Sequence, residues 1–121
     1  MQPLTLEWQR FDRFTEARKK FGTTPCIYVQ VDRDNRPIRI GKASKGLTAR
    51  YRGGTGHALD AAMHGSGNAV FVAAVRADLC AVAESLLIFE HRLALDYNKQ
   101  GKRKRAIAEL VLTHAGDQPV W

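Results

Sequence analysis

Apolar residues recur along this chain with two periods, every second position in some stretches and every third or fourth in others. Residues 6–20 carry Leu6, Trp8, Phe11, Phe14 and Ala17 among polar neighbours, which predicts an amphipathic helix ended by Phe21, Gly22 and Pro25. Cys26–Val31 predicts a strand, with Ile27, Val29 and Val31 pointing one way and Cys26, Tyr28 and Gln30 the other. Turn residues 32–37 (DRDNRP) lead into a second strand over 38–41, with Ile38 and Ile40 on one face and Arg39 on the other. Two strands this close predict an antiparallel hairpin that brings Tyr28 and Arg39 out opposite the Ile/Val face.

After Gly46, residues 47–52 predict a short helix. Residues 53–68 are rich in glycine (Gly53, Gly54, Gly56, Gly65, Gly67), with a helical insert near 58–63. The continuous apolar run 69–75 (AVFVAAV) predicts a buried strand, and residues 79–97 a long helix with contacts on more than one side. Residues 102–114 (KRKRAIAELVLTH) predict a final helix with a basic start. The order helix, strand, strand, helix, strand, helix, helix predicts an α/β (α+β) fold: a small three-stranded, mainly antiparallel sheet flanked by helices. At 121 residues the chain is expected to be one domain over 1–121, its core near 25–98.

Charge narrows the partners. The net charge is +7 and the isoelectric point about 9.9, which favours a phosphate polyanion. The same charge would attract an anionic membrane surface, but no long apolar stretch or lipidation signal appears, so no membrane partner is expected. The start of the chain has no charged segment followed by an apolar run, so no secretion signal is expected either. Cys26 and Cys80 lie in apolar surroundings without a second nearby thiol, which fits two buried thiols in a reducing, cytoplasmic setting.

Several short segments in order resemble the GIY-YIG nuclease family. Cys26-Ile27-Tyr28 resembles its first element and Arg39-Ile40-Gly41 its second, one hairpin apart. The stretch GKASKGLTARYR resembles the family's following helix, with Leu47 and Arg50 in place. Glu84-Ser85-Leu86-Leu87-Ile88 resembles its Glu-x-x-Leu-Ile helix, and Tyr97-Asn98 the Tyr-Asn after it. The pattern is similar to the nuclease domain of the bacterial excision-repair incision subunit and to stand-alone members. The resemblance implies an endonuclease that hydrolyses DNA phosphodiesters. Tyr28 would assist the attacking water, with Lys42, Arg39 and Arg50 as the cations that make a phenol a better base. Arg50 would contact the scissile phosphate. Glu84 would hold one Mg²⁺ or Mn²⁺ ion, with Glu90 in reserve. Each has an ordinary counterpart: a strand aromatic, a solvated arginine, a salt-bridged glutamate.

Some positions depart from the family. Arg39 stands where the second motif has tyrosine; it can bind phosphate but cannot copy a phenol's acid–base chemistry. No proline precedes Tyr97, and Gly54 stands where some members carry histidine, with His57 nearest. His57, Asp60 and His64 would share a helix face, a weak metal pattern beside a polar DNA-facing loop. The GKAS stretch lacks the glycine and Ser/Thr of a nucleotide-binding loop. Basic clusters at 18–20, 42–52 and 99–105 suggest a DNA footprint, with Lys45, Arg52, His57, Lys102, Arg103, Lys104 and Arg105 as contacts. Target choice would come from a partner protein, or from loop 53–68 and the basic arm 99–105. The competing expectations are a nucleic-acid-binding module on the same fold without catalysis, and a basic α/β protein unrelated to nucleic acid.

Overall fold

Period-two alternation begins at the start of the chain. Leu6 and Trp8 are buried while Thr5 and Glu7 are exposed, so this segment is a strand, β1 (Gln2–Phe11). The helix expected over 6–20 is confined to α1 (Phe14–Lys20), where Phe14, Ala17 and Phe21 bury at helical spacing. The period-two pair Leu6/Trp8 had merged with the helical series beginning at Phe14. The computed structural model describes residues 2–50, 69–91 and 110–121. The insert expected near 58–63, the helix residues expected beyond 91 and the basic start of the last helix lie outside the described residues.

Strands β1, β2 (Cys26–Val31), β3 (Pro37–Ala43), β4 (Val70–Ala74) and β5 (Leu110–Gly116) form one sheet in the order β3-β2-β4-β1-β5. The three expected strands are thus joined by two more, and the mixed α and β class holds. Strand β2 pairs antiparallel with β3 and β4, and β1 antiparallel with β4. Residues 110–114, expected as helix, run as β5 parallel to β1, from Gln2↔Leu110 to Trp8↔Gly116. Leu112 and His114 turn inward while Val111 and Thr113 face out, and Thr113 shares a 2.8 Å hydroxyl hydrogen bond with Thr5 across the strands.

Helices cover both faces. On one, α1 and the single turn α2 (Leu47–Arg50) bury Phe14, Ala17, Phe21 and Leu47 against Cys26, Tyr28, Ala43, Val70 and Val72. On the other, α3 (Cys80–Glu90), entered through a 3-10 turn at Ala77–Leu79, buries Cys80, Ala83, Leu87 and Ile88 against Ile27, Val29, Ile40 and Phe71. Strand β2 is buried at every position because it is covered on both faces. Burying each large aliphatic side chain there contributes about 1.5–3 kcal/mol.

Candidate functional site

The β2–β3 hairpin sets the first part of the site. Its register pairs Tyr28 with Gly41 and Gln30 with Arg39, so Tyr28 and Arg39 share the face covered by α1 and α2. The Tyr28 ring lies on the bare Cα of Gly41; a Cβ there would collide with the ring's Cζ and Oη. Tyr28 is 0% exposed and Arg39 7%. Arg39 Nη1 donates to Tyr28 Oη at 3.2 Å, and the guanidinium carbon stands 5.8 Å from the ring centroid. A buried guanidinium needs such a partner, since desolvating an uncompensated cation is costly.

The turn after β3 places α2. Gly46 adopts φ +93°, which an L side chain rarely tolerates, and its N–H donates to Ala43 O at 3.1 Å. The next two amides reach the end of α1: Leu47 N–H donates to Phe21 O at 2.9 Å and Thr48 N–H to Gly22 O at 3.1 Å. The N-terminal helix thus fixes the start of the turn that ends at Arg50. Lys45, in the β3–α2 connection, is exposed.

The second part lies across the sheet. Lys42 shares the Ile40 face of β3, where α3 packs, and Glu84 sits half-buried on that helix. Both act on the thiol of Cys80. Burial raises its pKa most, the Lys42 ammonium lowers it, and the carboxylates of Glu84 and Asp78 raise it. Burial, with Cys80 adding to it, pushes the Cys26 thiol up to about 12. Both cysteines are free and buried.

The structure therefore brings Tyr28 to Arg39 on one face of edge strand β3, and places Lys42 and Glu84 around Cys80 on the other. Alternation sends positions 39 and 42 to opposite faces, and which face α3 covers is a tertiary choice that its own sequence does not reveal. Glu90, at the end of α3, is exposed as a residue, yet partial desolvation of its carboxyl raises its pKa. Among the described residues no group of three or more His, Cys, Asp or Glu could hold a metal. Glu84 fits a Mg²⁺-class ion only as a single carboxylate, with water and substrate phosphate completing the shell. Tyr51, Arg52, His57, Asp60, His64, Lys102, Arg103, Lys104 and Arg105 lie outside the described residues.

One cluster escaped the sequence reading. Trp8 Nε1 donates to His114 Nδ1 at 2.9 Å, and Trp121 stacks on His91 with ring centroids 4.4 Å apart. Trp8 and Trp121 meet edge to face at 5.7 Å, closing a seam over β1 and β5. The signal was His114 falling in step with Leu110 and Leu112, a period-two series hidden behind a basic, helix-like prefix. Among the described residues no helix is long and apolar enough to cross a membrane. No family model, curated protein or solved structure matches the chain.

Proposed function

We propose that the chain is a GIY-YIG-type endonuclease that hydrolyses DNA phosphodiester bonds with the help of a divalent ion. The observation that carries this reading is the 3.2 Å contact between Arg39 and Tyr28 on the hairpin that leads directly into the Arg50 turn. The guanidinium holds the Tyr28 hydroxyl in a fixed position, and this supports a role for that hydroxyl in orienting the attacking water. Arg50 offers a forked donor for the phosphate. Glu84 would hold the ion, which when bound supplies Lewis-acid stabilisation of developing negative charge. Lys42 lies beside Glu84 on the α3 face, across the sheet from Tyr28 and Arg39, and would add its cation on the ion's side.

The burial of Tyr28, in the layer opposite α3, favours a second reading: a module on this fold that binds nucleic acid without cutting it. The test is a cleavage assay on supercoiled and branched DNA with Mg²⁺, Mn²⁺ or EDTA, using the parent, Tyr28→Phe and Glu84→Ala. The expected result is metal-dependent nicking, lost in both variants while Glu84→Ala still binds DNA. Tight, salt-sensitive binding with no nicking by the parent would establish the binding module instead. If Glu84→Ala cuts like the parent, Glu90 becomes the candidate ligand.

A further inference from the structure

Beside α2, and apart from the Tyr28–Arg39 pair, the surface holds a pocket of about 510 Å³ lined by Thr15, Arg18, Lys19, Lys20, Gly22, Thr23 and Thr48. Three cations and three hydroxyls line it, and no carboxylate is among its described lining residues. Lys20 donates a 2.6 Å hydrogen bond to Gln9 Oε1, which restrains its ammonium. A carboxylate ligand or a phosphate both suit cations, but hydroxyl donors around a forked guanidinium match a tetrahedral anion with several acceptor oxygens.

We propose that this pocket binds a backbone phosphate of the nucleic-acid substrate, at a position flanking the one that is cut. The assignment rests on the nucleic-acid reading above and deepens it. Its placement follows from the chain's own stitching. The Phe21 and Gly22 carbonyls at the end of α1 accept the first amides of α2, and Arg50 follows the lining residue Thr48 by two residues in that same turn. A strand gripped at Arg18 and Lys19 is therefore held in fixed relation to the Arg50 turn. Phosphate contacts of this kind set position along the backbone without reading sequence. Gly22 is packed against the pocket's wall: a Cβ there would stand 2.8 Å from Thr48 Oγ1 and 2.9 Å from Arg18 O, so a larger side chain would displace lining atoms.

The test measures binding of the full chain to a fluorescent DNA duplex over a salt series. The variants are Arg18→Gln/Lys19→Gln, which removes charge from the surface, and Gly22→Val, which fills the pocket without changing charge; circular dichroism checks that each is folded. The expected result for the double variant is weaker binding and a log–log salt slope shallower by about 0.9, the change for one phosphate that is no longer neutralised. Gly22→Val is expected to weaken binding in the same direction, and the charge variant decides the matter if the valine variant does not fold. Unchanged affinity and slope in a folded charge variant, against a parent that binds DNA, would overturn the pocket and leave the proposed function standing. A parent that binds no DNA but adsorbs to phosphatidylserine vesicles through the same residues would overturn both. If inorganic phosphate at millimolar concentration binds the parent and not the double variant, while both bind DNA alike, the pocket is a free-anion site and the backbone assignment fails.

Discussion

Gly41 and Gly46 hold the candidate site through opposite requirements, one for space and one for backbone conformation. Gly41→Ala would drive a methyl into the Tyr28 ring. It is expected to cost about 1–3 kcal/mol by overpacking, read as a lower urea midpoint, and to disturb the Arg39 contact. Gly46→Ala meets a left-handed φ of +93° and sets a Cβ against Gly22 O. A cost of at least about 1–2 kcal/mol is expected from the conformation alone, and a midpoint equal to the parent's would show that this turn does not fix α2. The facing of Tyr28 and Arg39 was legible in the sequence because alternation is a local property. The close approach of Tyr28 to Gly41 was not, since it depends on which residues the hairpin sets opposite each other.

Elements obeyed their local periods wherever one period ran unbroken. Residues 26–31, 38–41 and 69–75 show this: each became a strand whose bounds moved by at most a few residues. Where two periods abutted, as at Trp8 and Phe11, the stronger helical series absorbed the strand. For β5 the partner is β1, more than a hundred residues away in sequence, and parallel pairing at that distance leaves no hairpin signature. The reassignment of β1 has a direct check. Leu6→Ala is expected to cost about 2–5 kcal/mol and Glu7→Ala to stay within about 0.5 kcal/mol. Similar losses at both positions in a denaturation series would contradict an inward-outward alternation there.

At the scale of the whole molecule, the described residues form a five-stranded sheet between two helical layers, and its two faces respond to different conditions. On the α1/α2 face, the excess positive charge means that the proposed nucleic-acid binding is expected to weaken with salt. On the α3 face, burial lowers the pKa of His114, and burial together with the charge of His114 lowers that of His91. A depressed histidine pKa means the unfolded chain takes up the proton more readily. The stabilising contribution of His114 is therefore complete above its ordinary 6.5 and is lost as pH falls through the folded value. The raised pKa of Glu90 acts in the opposite sense, favouring the fold below its ordinary 4.5 and weakening as pH rises. His114→Gln is expected to flatten the fall in stability below about pH 6.5, read from denaturation midpoints across that range. A slope unchanged from the parent's would place the titrating group elsewhere.

The chain's two tryptophans, Trp8 and Trp121, both sit in the seam with His91 and His114. Intrinsic fluorescence is therefore a local gauge of one place in the molecule. It records whether β5 is docked and whether an imidazole beside an indole has become a quenching imidazolium. The basic pocket lies beside α1, on the face of the sheet opposite the one that buries Trp8. Emission that stays constant while DNA binds, and shifts when β5 detaches, would separate ligand occupancy from the integrity of the sheet without any label attached to the protein.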